Sequence, residues 1–114
     1  MQTCAAVATA PGKAGISVIR LSGDDSIEIA ANVFRPASGK ALTEIPANTA
    51  VYGKIVGADG KKIDGGMCTC FYAPKSYTGE NTVEISCHGS PVGTSLVLSA
   101  VFAAGAKPAL AGEF

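Results

Sequence analysis

An alternating run, Thr82-Val83-Glu84-Ile85-Ser86-Cys87, is followed four residues later by Pro91 and a long apolar segment. This pattern constrains the chain more than any other. On an extended strand successive side chains point to opposite faces. Val83, Ile85 and Cys87 therefore share a face directed at a core, and Thr82, Glu84 and Ser86 share the other. Pro91 suits the first turn of a helix, where its missing N–H is not needed. The helix is expected to run to about Ala104, with Gly105 ending it. Only Thr94, Ser95 and Ser99 interrupt its apolar circumference. A helix apolar all round is covered on more than one side. The sheet covers one side, and a partner subunit or a further domain is expected on the other.

The remaining elements fit around this unit. Residues 4–10 read as a short buried strand, and Pro11 to Gly15 as a turn. Ile16 to Leu21 reads as a strand of β-branched character, with Ile16, Val18 and Arg20 on one face and Ser17, Ile19 and Leu21 on the other. A helix capped by Ser22 or Asp24 carries Ile27, Ala30, Ala31 and Phe34 at helical spacing and ends at Pro36. Residues 37–49 read as a loop. Val51 to Val56 and Ile63 to Tyr72 form a hairpin around Asp59-Gly60. Gly65-Gly66 inside its return strand predicts a bulge or a close approach. Strands alternating with only two helices predict an α+β fold, a mixed β-sheet with helices packed mainly on one side. A length of 114 residues predicts one domain, 1–114.

Nine basic and nine acidic residues sum to zero, which argues against nucleic-acid binding driven by the net charge of this chain. Charged residues make up 16%, below the ~25% of typical soluble domains. That shortage agrees with a surface covered by a partner. Met1-Gln2-Thr3-Cys4 lacks the basic start and apolar run of a secretory leader. The apolar stretch 92–106 falls short of the ~20 residues that span a bilayer. A cytoplasmic protein with no membrane partner is expected, its four cysteines being free thiols.

Glu84 is the first candidate site residue. Mid-strand on the face away from the core, it is either solvated or paired. Arg20 is one donor for it, and a planar ligand with parallel donors, such as a pterin, is another. Arg20 is itself either a binding residue or an edge arginine reaching water. The loop 75–80 has the aromatic, hydroxyl and glycine composition of a ligand rim, and equally of any turn. Cys68, Cys70, Cys87 and His88 invite a zinc site, but Cys87 and His88 are adjacent and diverge on an extended chain, and C-x-C falls outside the common finger spacings. Cys87-His88-Gly89-Ser90 lacks the G-x-S-x-G pattern of a nucleophile elbow, and no second histidine serves as base. His88 reads better as a strand-end residue with a structural hydrogen bond. Neither a P-loop nor a dinucleotide fingerprint is present.

Four segments taken in order resemble one family. They are the stretch 8–23 (Ala-Thr-Ala-Pro-Gly-Lys-Ala-Gly-Ile-Ser-Val-Ile-Arg-Leu-Ser-Gly), Tyr52-Gly53-Lys54-Ile55, the stretch 76–91, and Ala104-Gly105-Ala106 with Gly112-Glu113-Phe114. Their order and spacing are similar to the N-terminal domain of the MnmE (TrmE) tRNA-modification GTPases, over essentially the whole chain. The resemblance implies a folate-binding module related to one-carbon-transfer enzymes such as the glycine-cleavage aminomethyltransferase. It implies a homodimer that binds a tetrahydrofolate derivative, 5-formyltetrahydrofolate in the usual analogue. Helical and G domains follow in full-length members, the latter holding GTP, magnesium and potassium. With the flavoprotein MnmG, members build an aminomethyl-type substituent on the wobble uridine of certain tRNAs.

Carried over by position, Arg20 and Glu84 match the family's folate-binding arginine and glutamate. Tyr77, Thr78 and His88 are secondary pocket candidates. A third contact, a lysine after Gly-Glu-Phe, would fall beyond Phe114, so the chain is expected to be the first domain alone. It departs from the family pattern at Lys13-Ala14 (usually Arg-Gly), Asn81 (often aspartate) and Ser90 (usually glycine). Two other classes compete: a purely structural dimerisation module, and a free-standing one-carbon transferase. The latter is weakened by an acid–base set limited to Glu80, Glu84 and His88.

Overall fold

A computed structural model of the chain describes residues 3–8, 15–73 and 79–109. Within them the order is β1 (Cys4–Val7), β2 (Ile16–Ser22), α1 (Ser26–Val33), β3 (Phe34–Pro36), a 3-10 turn (Leu42–Glu44), β4 (Val51–Val56), β5 (Lys62–Phe71), β6 (Thr82–His88), α2 (Pro91–Ala103) and β7 (Lys107–Pro108). The strands form one sheet in the order β3-β4-β5-β6-β2-β1-β7. Every pairing is antiparallel except β1 with β7, so the sheet is mixed and the fold is α+β.

Alternation sorts the two faces as expected. Ile19 and Leu21 of β2 and Val83, Ile85 and Cys87 of β6 join Ile55, Cys68 and Cys70 in one buried cluster. Ile27, Ile29, Ala30 and Val33 of α1 and Val97, Ala100 and Val101 of α2 complete that cluster, so both helices lie on the same side of the sheet. Ile85 is fully buried, and such burial contributes about 1.5–3 kcal/mol. The opposite face, which no described helix covers, carries Val18, Arg20, Tyr52, Lys54, Met67, Glu84 and Ser86.

The start of α1 differs from expectation. Neither Ser22 nor Asp24 caps it; the N-cap is Asp25, which makes no side-chain cap bond. Instead the residues just before β1 and β6 tie down the turn. The Asp25 N–H donates to Thr3 Oγ1 at 2.9 Å, and the buried Ser26 hydroxyl donates to the Asn81 carbonyl at 2.9 Å. Burial explains the exchange, because a hidden hydroxyl must find a partner.

Phe34 continues the helical spacing yet belongs to β3. A residue is disfavoured in the helical region when proline follows it, so Arg35 is extended, and Phe34 is extended with it. The chain then pairs with β4, where Gly53 faces Pro36. A Cβ on Gly53 would lie 2.3 Å from the Arg35 carbonyl oxygen, so the close pairing needs glycine there. The first strand is described as Cys4–Val7, and residues 9 and 10 of the expected strand lie outside the described residues.

Helix α2 forms over almost the expected span. Ser90 is its N-cap, accepting the Gly93 N–H at 3.0 Å, and Pro91 follows in the first turn. Gly105 has φ +126°, which suits glycine at the end of the helix. Away from the sheet, α2 leaves Val92 72% and Leu96 52% exposed.

Candidate functional site

Arg20 and Glu84 are direct neighbours across the β2–β6 pair, on the helix-free face. Arg20 Nε and Nη2 both donate to Glu84 Oε2, at 2.9 and 2.7 Å. Glu84 is thus paired on an accessible face, the first of the two donors weighed for it. The side chains remain 22% and 31% exposed, so the pair contributes only about 0–1 kcal/mol to stability. Its larger effect is to orient: two bonds to one oxygen fix the carboxylate, and Oε1 takes no part in the pair. A carboxylate edge held this way can accept from a ligand with adjacent N–H groups. The residues present therefore fit a planar heterocycle of that kind.

Two residues along β6, Ser86 lies in register with Met67, which lies in register with Tyr52. Here a cavity of about 190 Å³ opens on the same face, between Ile16, Tyr52, Met67 and His88. Its floor is the glycine pair. A Cβ on Gly66 would lie 2.0 Å from the Ser86 carbonyl oxygen, and one on Gly65 would lie 2.9 Å from the Tyr52 hydroxyl. Gly65-Gly66 thus marks a close approach, while the register shift of the hairpin sits at Ile55/Val56.

His88 closes one end of the cavity and has the structural hydrogen bond expected of it. Its Nδ1 lies 2.7 Å from Asp64 Oδ1, and its backbone N–H donates to Asp64 Oδ2 at 2.9 Å. Gly65 N–H adds a third bond, at 2.8 Å, to Oδ1. Burial alone would raise the Asp64 carboxyl, but the hydrogen bonds from His88 and Gly65 outweigh it and hold the pKa below its ordinary value. The bond at Nδ1 leaves Nε2 as the ring's outward nitrogen. Asp64 was not legible as part of this site, because nothing in the sequence joins residues 24 positions apart.

The three thiols near this strand point the other way. Cys68, Cys70 and Cys87 are buried on the helix side, whereas the His88 side chain is 79% exposed. A hydrogen bond with Cys70 and burial both push the Cys68 thiol up, and burial pushes Cys87 up. Cys87 and His88 thus diverge, one buried toward the helices and the other exposed. Among the described residues no group of three His, Cys, Asp or Glu side chains is placed to hold a metal ion. Tyr77 and Thr78 lie outside the described residues.

A second cleft on the same face went unread in the sequence. Arg35 of β3, Tyr52 and Lys54 of β4 and Lys62 beside them line a cavity of about 480 Å³. Tyr52 borders both cavities. No described helix is long and apolar enough to cross a membrane.

Residues 3–114 match the family model described as the GTP-binding protein TrmE N-terminus. The chain is 47% identical over 113 residues to a tRNA modification GTPase MnmE of Protochlamydia amoebophila, covering 99% of this chain and 24% of that protein. It is 44% identical to the MnmE of Parabacteroides distasonis, with 100% and 25% covered, and 46% identical to that of Carboxydothermus hydrogenoformans, with 98% and 24% covered. The chain spans about a quarter of the length of these relatives. With a family match across nearly its whole length and relatives of 44–47% identity, the chain belongs to the family of MnmE/TrmE N-terminal domains.

Proposed function

We propose that this domain binds a tetrahydrofolate derivative on its helix-free face and forms a homodimer, within a longer protein that modifies the wobble uridine of tRNA. The observation that carries the ligand reading is the Arg20–Glu84 neighbour pair beside an apolar cavity. Those are the two positions that match the family's folate-binding residues. Glu84, oriented by Arg20, would accept from the donor edge of the pterin. Arg20 would place its positive charge beside carbonyl or anionic parts of the ligand. Ile16, Met67 and Tyr52 would cover an apolar ring surface. Folate supplies a one-carbon unit when bound; the role of this chain is to hold it. GTP, magnesium, potassium, the flavoprotein MnmG and tRNA would be engaged by the longer protein, in the cytoplasm, where buried free thiols are stable.

Isothermal titration with 5-formyltetrahydrofolate tests the reading, on this chain and on one extended past Phe114. Heat of binding that a Glu84→Ala substitution abolishes is the expected result. No heat from either length would discard it.

The competing reading, a dimerisation module without ligand, is supported by the exposed Val92 and Leu96 on the outer side of α2. Both readings place a dimer there, so only ligand binding separates them. Light scattering that finds a monomer at high concentration would remove the dimer from both.

A further inference from the structure

We propose that the cleft lined by Arg35, Lys54 and Lys62 binds the γ-linked glutamate carboxylates of a polyglutamylated folate. This rests on the folate reading above and deepens it. Three cations line one cleft of about 480 Å³, and no carboxylate is among the lining residues. Arg35 and Lys54 are moreover direct cross-strand neighbours. Like charges so placed destabilise a sheet, and a bound anion relieves them.

The nearby carboxylates are engaged elsewhere. Asp59 accepts the Lys61 N–H at 3.0 Å, Glu44 accepts the Ala41 N–H at 3.2 Å, and Asp64 is held by His88. Among the described residues the ion pairs are Arg20–Glu84 and His88–Asp64, neither of which involves these cations. Arg35 Nη1 donates to the Ala31 carbonyl of α1 at 2.7 Å, which anchors its guanidinium at the sheet edge beside that helix.

Position selects the anion. Lys54 is two residues beyond Tyr52, and Tyr52 is in register with Ser86, two residues beyond Glu84. Two interstrand steps of about 4.8 Å and four residues at about 3.3 Å each put Lys54 about 16 Å from Glu84. An extended aminobenzoyl-glutamate tail covers that span, passing Tyr52 on the way. A pterin at Glu84 would thus deliver its tail carboxylates to the cations. A nucleic-acid backbone follows a longer basic stripe than this bounded cleft offers.

The test compares 5-formyltetrahydrofolate carrying one glutamate with the form carrying five, by titration calorimetry on this chain and its extended form. The pentaglutamate should bind about tenfold more tightly at low salt, with the advantage shrinking as salt rises. A Lys54→Gln/Lys62→Gln double variant should lose the advantage, with a smaller loss of affinity for the monoglutamate, whose single tail residue reaches only the near end of the cleft. Equal affinity for the two forms, or an advantage untouched by the double variant, would overturn the proposal while leaving the folate reading in place. Loss of tRNA binding in a gel shift of the double variant, with no tail advantage in the parent, would reassign the cleft to RNA. If neither form binds, this inference falls together with the folate reading.

Discussion

At one end of the helix-free face a guanidinium and a carboxylate meet across a strand pair; at the other, three cations gather without a carboxylate. The same alternation builds both ends, so the scaffold does not make the difference. The register partner does: Arg20 faces Glu84, whereas Arg35 faces Lys54. The first pair is satisfied within the chain and presents an oriented carboxylate edge. The second is a like-charge contact that an incoming anion would relieve. A chain with nine charges of each sign can hold both, because zero is the sum of a segregated distribution. Zero net charge is therefore a property of the whole chain and leaves room for a local basic cleft.

Four substitutions put the two ends to the test. The largest effect is expected from Gly66→Ala, whose Cβ would meet the Ser86 carbonyl oxygen at 2.0 Å. Parting β5 from β6 should cost about 3 kcal/mol, read as a lower denaturant midpoint, and should disturb both ends together. Glu84→Ala should lower folate affinity about a hundredfold, since bonds to a charged group contribute about 1.5–3 kcal/mol. Because the pair is partly exposed, the same change should cost less than about 1 kcal/mol of stability. A stability loss that matched the affinity loss would mean that the pair is structural.

Asp64→Asn separates the His88 end from both. The native carboxyl titrates below its ordinary value of 3.8, so its contribution is present above that value and is lost as pH falls through the lower folded value. The variant should be about 1 kcal/mol less stable at pH 7, with a shallower decline in acid, when urea unfolding is followed from pH 7 to pH 3. The smallest effect is expected from Lys54→Glu. Placing a carboxylate opposite Arg35 should raise stability by about 0.5 kcal/mol in thermal unfolding while removing any preference for polyglutamate. A loss of stability there would show that Arg35 and Lys54 do not oppose one another in solution.

What could be read in the sequence follows the range of each interaction. Faces of β2 and β6 were legible because alternation is local, and α2 because Pro91 and Gly105 bracket an apolar run. Arg20 could be named as a donor for Glu84 because both fell on the outward face of their strands. Strand β3 was not legible: Phe34 satisfies the helical spacing, and the strand's pairing depends on Gly53, which faces Pro36 from seventeen positions away. Strand β7, two residues including a proline, gives no local signal. Asp64 and the cationic cleft were hidden for the same reason, since hairpin register alone brings their parts together. The role of Ser90 was hidden by comparison with a glycine at that position, although serine before proline is an ordinary helix start.

The central position of β6 has a consequence for how the chain acquires its binding face. Arg20 and Glu84 are 64 residues apart, and they meet only when β6 inserts between β2 and the β4–β5 hairpin. The β4–β5 hairpin and the β1–β2 pair can close early from contacts near in sequence, whereas insertion of a distant strand is slow. Recovery of ligand affinity should then lag behind recovery of backbone signal in a refolding experiment. A ligand that reads the pair would therefore be blind to half-assembled chains, so that bound folate would mark the molecules in which the last strand has gone home.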